Sequence, residues 1–278
     1  MRINAIIRND ERGASGTLAA GECRELTGTT ASSPIRTCFQ TDRGVRPENE
    51  DACGIWEISS RDGTLTLLAV ADGLGGHPAG EVASRIAVDS LYSYVRTRVE
   101  KDPVMNPADL EPLLAAGMAA ANQQILARAA DSHACYGMGT TLVAALLNPM
   151  GEGVIGNVGD SRAYFVGDSI TRITSDHSRV QEMVDLGLLS REEADHHPLS
   201  NIVTRILGRE GDSPDLFRIR LDSRILLLCS DGLNDGLTDP EILSICRGQD
   251  LAAICRDLVE HAKETSRDNV TVVVAKQG

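Results

Sequence analysis

The chain has 278 residues, 42% apolar, 24% charged and only 3% aromatic, with a formal net charge of −13. That length allows one large core or two modest domains, and the few aromatics mean a core of Val, Ile, Leu and Ala. The acidity repels phosphate backbones and sets nucleic acid aside as a partner. Residues 1–34 mix charge, Gly, Ser and Thr without a sustained period and read as a flexible N-terminal extension ahead of a domain over 35–278. Residues 35–40 read as a short strand and 41–51 as a turn-rich connection carrying Gly44 and Pro47. Strands at 53–59 and 64–71 flank the turn Arg61-Asp62-Gly63, a hairpin that makes the first sheet at least partly antiparallel. The second of these strands runs into Asp72-Gly73-Leu74-Gly75-Gly76-His77, where glycines let backbone approach a ligand closely. From Glu81 a helix repeats Val82, Ile86, Tyr92, Val95 and Val99 at three- and four-residue steps, and a second covers about 107–130.

Strands resume at 140–147, 153–158 and 162–166. Residues 178–202 are polar and hold one short helix at 178–186, ended by Gly187, and another around 190–194 with Ser190 as its cap. This stretch reads as an excursion from the sheet. Residues 225–229 form a buried strand, 241–247 and 250–265 helices, and 270–276 the last strand. The order lacks the regular strand–helix alternation of a doubly wound fold, which leaves an α+β arrangement. No apolar run reaches membrane-spanning length, and no signal-peptide segment opens the chain. The seven cysteines (Cys23, Cys38, Cys53, Cys135, Cys229, Cys246 and Cys255) are odd in number and contain no CxxC pair. They read as reduced thiols in a cytoplasmic protein.

Three carboxylates share one local context. Asp72 follows the apolar run 67–71, Asp231 follows 225–229, and Asp268 precedes 270–274. An acid at the end of a buried strand sits at the rim of a sheet, where several strands converge. Carboxylates forced together repel unless a cation or a proton joins them. Oxygen ligands select Mg²⁺ or Mn²⁺, and no His/Cys cluster competes for a softer metal. Taken singly, an Asp-Gly pair marks a turn. Three acids at strand ends set a metal site beside that reading, and these residues alone leave both open.

The motifs RPENED (46–51), VADGLGGHPAGEVA (70–83), GMGTT (137–141), GDSR (159–162), SDG (230–232) and RDN (267–269) resemble, in order and spacing, those of the PPM (PP2C-type) protein phosphatases, in their bacterial branch. The resemblance runs from about residue 35 to the C-terminus. It implies a four-layer α-β-β-α sandwich of two mostly antiparallel sheets flanked by helix pairs, with 178–202 as a flap beside the cleft. It implies two Mn²⁺ or Mg²⁺ ions. Asp72 would bridge them, the Gly73 carbonyl would bind the first, and Asp231 and Asp268 the second, with Glu50 and Asp51 as an outer acidic pair acting mainly through water. A third metal is left open, since the acid that some relatives place near GMGTT is absent and Asp131 is the nearest upstream.

What the resemblance implies chemically is a metal-dependent protein serine/threonine phosphatase. A water activated by the two cations attacks phosphorus in line, with no covalent enzyme intermediate. Arg46 is the candidate for gripping the phosphoryl oxygens, since a planar guanidinium can hold two at once. Asp160 reads as loop support. His77 reads as structural, and His177, His196 and His197 have no obvious partner. The flap charges Arg179, Glu182, Asp185, Arg191, Glu192, Glu193 and Asp195 would shape which phosphoprotein docks. Expected partners are phosphoserine and phosphothreonine proteins, among them a Ser/Thr kinase, met by a monomer. The alternatives are a non-catalytic scaffold on the same fold, which in such relatives has lost a metal aspartate, and a hydrolase of small phosphate esters.

Overall fold

The computed structural model describes residues 5–9, 16–17, 35–74, 78–102, 106–190, 193–194, 197–248 and 250–278. The strands are β1 (Ala5–Asn9), β2 (Gly16–Thr17), β3 (Ile35–Asp42), β4 (Asp51–Ser60), β5 (Gly63–Leu74), β6 (Gly139–Thr140), β7 (Leu142–Leu147), β8 (Glu152–Val158), β9 (Arg162–Val166), β10 (Ile170–Arg172), β11 (Asp215–Arg220), β12 (Ile225–Cys229) and β13 (Val270–Gln277). The helices are α1 (Pro78–Lys101), α2 (Pro107–Asp131), α3 (Arg179–Asp185), α4 (Asp231–Gly236), α5 (Asp239–Cys246) and α6 (Leu251–Ala262).

One sheet runs β11-β8-β7-β5-β4-β1-β2, with β6 extending the pairing of β5. The other runs β10-β9-β12-β13-β3. Every pairing is antiparallel except β1 with β4. The period-two alternation of β5 shows why the sheets stack. Leu67, Ala69 and Ala71 join the core under α1 and α2, among Leu91, Leu114 and Met118. Leu68 and Val70 point the other way, into a core shared with Leu226, Leu228 and Val273 of the second sheet. A third core packs Leu227, Val272 and Val274 against Ile254 and Leu258 of α6. Three apolar interfaces therefore bind four layers, the α-β-β-α sandwich expected.

Local chemistry sets the helix ends. Thr238 N–H donates to Glu241 at the head of α5, and Asp250 accepts from Ala252 and Ala253 at the head of α6. Each satisfies amides that the first turn leaves open. The short helix expected at 178–186 forms as α3, with Ser178 accepting from Gln181 N–H.

Several differences from the sequence expectation have physical causes. The extension 1–34 is not all loose tail. Ala5–Asn9 pairs in register with Cys53–Glu57, and Gly16–Thr17 with β1, because the outer edge of β4 otherwise offers a row of open backbone groups. The rest of the extension, with Cys23, lies outside the described residues. The sequence also gave no sign of β10, β11 or α4, whose burial is partial and whose periods are short.

Candidate metal centre and active site

Asp72 lies inside β5, not beyond its end, because the strand continues to Leu74 by pairing Gly73 with Thr140. The GMGTT segment clamps its peptide. Thr141 Oγ1 accepts from Asp72 N–H at 2.9 Å, and the Asp72 carbonyl accepts from Thr140 Oγ1 at 2.7 Å and Thr141 N–H at 2.8 Å. Ser161 of GDSR shares a 2.7 Å hydrogen bond with Thr141 Oγ1 and so ties a third motif to the same point.

Asp51 opens β4 directly opposite Asp72 in the ladder. It is fully buried, and its Oδ2 accepts from Ser230 Oγ at 2.8 Å. Asp231 begins α4 one residue later, at the end of the all-buried strand β12. The Asp72 and Asp231 carboxyls lie close enough to perturb each other's charge. Burial first, and then the charges of Asp51, Asp231 and Asp160, hold Asp72 well above the usual carboxylate range. Burial and neighbouring acids likewise push Asp51, Asp160 and Asp231 up. Asp160, read from sequence as loop support, is buried and lies within the reach of these charges, so the acidic set is wider than expected.

Glu50 closes one side. A Cβ built on Gly80, in the first turn of α1, would lie 2.6 Å from Glu50 Oε2 and 2.9 Å from the Gly73 carbonyl oxygen. Only glycine leaves room for both oxygens to face that turn. On the other side stands Asp268, just before β13. Arg46 Nη2 donates to Asp268 Oδ2 at 2.6 Å, and its Nε to the Arg267 carbonyl at 3.1 Å.

These residues fit divalent cations. Among the described residues no three His, Cys, Asp or Glu side chains are closed together as a ready metal cage. The fit rests on other observations. The buried Oδ1 atoms of Asp51 and Asp231 have no hydrogen-bond partner. A buried oxygen without a partner is costly, and mutually repelling carboxylates are relieved by a hard cation. The donors are all oxygen, which suits Mg²⁺ or Mn²⁺. Asp131 stands exposed at the end of α2.

The flap is rooted at the same place. His177 N–H donates to the Gly159 carbonyl, Thr204 N–H to the His177 carbonyl, and Leu207 pairs with Thr140. Contrary to the sequence reading, His177 has partners. It is buried, its Nδ1 accepts from Gly159 N–H at 3.1 Å, and its Nε2 lies 3.1 Å from Asp215 Oδ2. Asp215 in turn pairs with Arg205 at 3.0 Å. The partner escapes sequence reading because β11 reaches it only through its pairing with β8. The flap charges are largely spent internally. Arg179 pairs with Glu182, Asp185 accepts from Gln181, and Glu193 accepts from Ser190. Exposed apolar side chains remain at Leu186, Leu188, Leu199 and Ile202. His77, His196, Arg191, Glu192 and Asp195 lie outside the described residues.

Residues 46–273 match the family model described as Protein phosphatase 2C. The chain belongs to the protein phosphatase 2C family. It is 36% identical over 245 residues to the serine/threonine phosphatase stp of Listeria innocua, covering 86% of this chain and 94% of that one. It superposes on the crystal structure of the serine/threonine phosphatase Stp1 from Staphylococcus aureus with a TM-score of 0.80, at 37% identity, over 91% of this chain and 100% of that one. The catalytic domain of the serine/threonine protein phosphatase PstP, solved in complex with 2 manganese ions, matches with a TM-score of 0.72 at 36% identity, over 87% and 97%. The protein is thus a metal-dependent serine/threonine phosphatase of the 2C type, and the scaffold and small-ester alternatives are not favoured. No described helix is long and apolar enough to cross a membrane.

Proposed function

We propose that this 2C phosphatase hydrolyses phosphoserine and phosphothreonine esters on proteins at the rim where β4, β5, β12 and β13 meet. The observation that carries this is the set of fully buried Asp51 with half-buried Asp72 and Asp231, which holds two buried unpartnered oxygens, together with Arg46 on Asp268. Asp72, the Gly73 carbonyl, Asp231 and Asp268 would hold two cations, with Glu50 and Asp51 around them. When bound, such cations lower the pKa of water and neutralise phosphoryl charge.

The chain's own contributions follow from its side chains. Thr140, Thr141 and Ser161 fix the Asp72 peptide, so the carboxylate is positioned before any ligand arrives. Ser230 fixes Asp51. Arg46, more than half exposed at the edge of the set, grips the phosphoryl oxygens as charge spreads over them.

Finer readings have narrower support. The relatives named above come from bacteria and are named serine/threonine phosphatases, which supports opposition to a bacterial Ser/Thr kinase. Cys38, Cys53, Cys135, Cys229, Cys246 and Cys255 are buried as thiols rather than disulfides, which supports a reducing, cytoplasmic setting.

The test is turnover of a phosphothreonine peptide by purified protein. Mn²⁺ should support it and excess EDTA should stop it. A folded protein that shows no turnover with Mn²⁺ would sink the proposal. Greater efficiency on metabolite phosphates than on phosphopeptides would overturn the protein-substrate part.

A further inference from the structure

The loop carrying Arg46 leaves the second sheet after Asp42 and enters the first at Asp51, while the corner 267–269 leads into β13 beside it. The β3–β13 ladder ends on the pair Asp42 and Val270, so loop and corner diverge from one point. They are then pressed together. Gly44 has φ 57°, and a Cβ there would lie 2.4 Å from the Asp268 carbonyl oxygen. Glycine alone meets both demands.

Asn269 stands between the two segments. Its side chain is buried, and all of its near-range capacity is used on the loop's backbone. Oδ1 accepts from Glu50 N–H at 2.9 Å, and Nδ2 donates to the carbonyls of Arg43 at 2.9 Å and Glu48 at 3.0 Å. These partners lie on both sides of Arg46 in the chain. One acceptor and two donors at this reach is the inventory of an asparagine amide. Aspartate has no donor, and serine is too short to serve all three partners. The Asn269 N–H adds a bond to Asp268 Oδ1 at 2.8 Å, leaving Oδ2 for Arg46. The guanidinium has five N–H donors, of which Nε serves Arg267 and one on Nη2 serves Asp268. The remaining three are aimed by wherever the loop backbone is held.

We propose that Asn269 is the positioning residue that aims Arg46 at the substrate's phosphoryl group. This rests on the reading of Arg46 as the phosphate-binding residue. The side-chain amide fixes the loop, while the backbone N–H fixes the metal-side carboxylate Asp268. The two duties are therefore separable by substitution.

The test measures three quantities on the whole protein: the inhibition constant of inorganic phosphate, kcat and KM on a phosphothreonine peptide, and Mn²⁺ affinity by calorimetry. Asn269→Ser should raise the phosphate inhibition constant and KM roughly tenfold, since misplacing a gripping group by an ångström can cost up to about 10². Mn²⁺ affinity should change several-fold less than the phosphate constant, because the backbone bond to Asp268 survives and only the Glu50 N–H loses its side-chain acceptor. Arg46→Ala should raise the phosphate constant by itself, and Asn269→Ser added to it should raise it no further. If N269S does not fold, Asn269→Asp, which keeps the volume and the acceptor but loses both donors, is judged by the same non-additivity with R46A. An effect of equal size with and without Arg46 would show a merely structural residue and overturn the proposal. So would an unchanged phosphate constant in N269S while R46A raises it. An unchanged constant in R46A would instead overturn the reading of Arg46, and the proposal with it.

Discussion

The two corners that carry Asp72 and Asp268, the aspartates proposed to hold metal, are built in opposite ways. The Asp72 corner is interior. Its carboxylate sits within a ladder, opposite buried Asp51, and its peptide is held by hydroxyls of Thr140 and Thr141. The Asp268 corner is peripheral. Its carboxylate is 31% exposed and is held by Arg46 and by a loop that Asn269 ties down. The difference suggests a division of labour. A site that must carry several like charges needs rigid, buried support, because desolvation strengthens both repulsion and cation binding. A site that must admit a phosphoprotein needs its guanidinium near water.

The largest break in this comparison should come at the interior corner. Asp231→Asn should lower kcat on a phosphothreonine peptide at least ~10³-fold, because cation stabilisation of the transition state contributes several kcal/mol and 1.36 kcal/mol is tenfold. The variant's melting temperature in EDTA should not fall, since one repelling acid is removed. A variant that keeps a tenth of wild-type turnover would refute the assignment.

At the exposed corner the effect should be smaller and should fall on binding. Arg46→Lys keeps the charge but loses the planar fork, and KM should rise about tenfold, the worth of one charge-assisted hydrogen bond. An unchanged KM would place phosphate recognition elsewhere.

A third change separates support from chemistry. Thr141→Val removes the hydroxyl between Asp72 N–H and Ser161 and leaves buried groups unpaired, at a cost of about 1–3 kcal/mol read from denaturant unfolding. A loss below that range would mean that the hydroxyl clamp is dispensable.

The smallest effect belongs to the flap root. Partial burial disfavours the Asp215 charge, but hydrogen bonds and charges of His177 and Arg205 outweigh it and hold the carboxyl below its ordinary value. A lowered carboxylate adds stability above its unfolded pKa and loses it as pH falls through the folded value. Because Asp215 is 44% exposed, Asp215→Asn should cost no more than about 1 kcal/mol at pH 7. The difference from wild type should be full at pH 7 and shrink as pH falls below the ordinary carboxyl value of 3.8, as read from melting curves across the acid range. A gap that stays constant through that range would mean that the ion pair is not its source.

The legible part of the site was the part written in local order. Asp231 follows a buried run and Asp268 precedes one, so their strand-end placement could be read directly, whereas Asp72 lies inside a strand that continues to Leu74. Asn269 was legible only as a letter of a motif, since its partners Arg43, Glu48 and Glu50 are more than 200 residues away and are backbone groups, which leave no residue-type signal. His177 was misread for the same reason: its partner Asp215 arrives by sheet pairing across β8.

By itself the sequence indicated the α+β order of strands and helices, through hydrophobic periods and turn residues, while the layered sandwich and the proposed oxygen donors came from the resemblance of its motifs. The tertiary structure alone decided that Asp72 lies inside its strand, that Asp160 joins the acidic set, and that Asn269 holds the arginine loop. Each of these depends on which distant backbone groups meet, and hydrogen bonds between strands form across space without regard to separation along the chain.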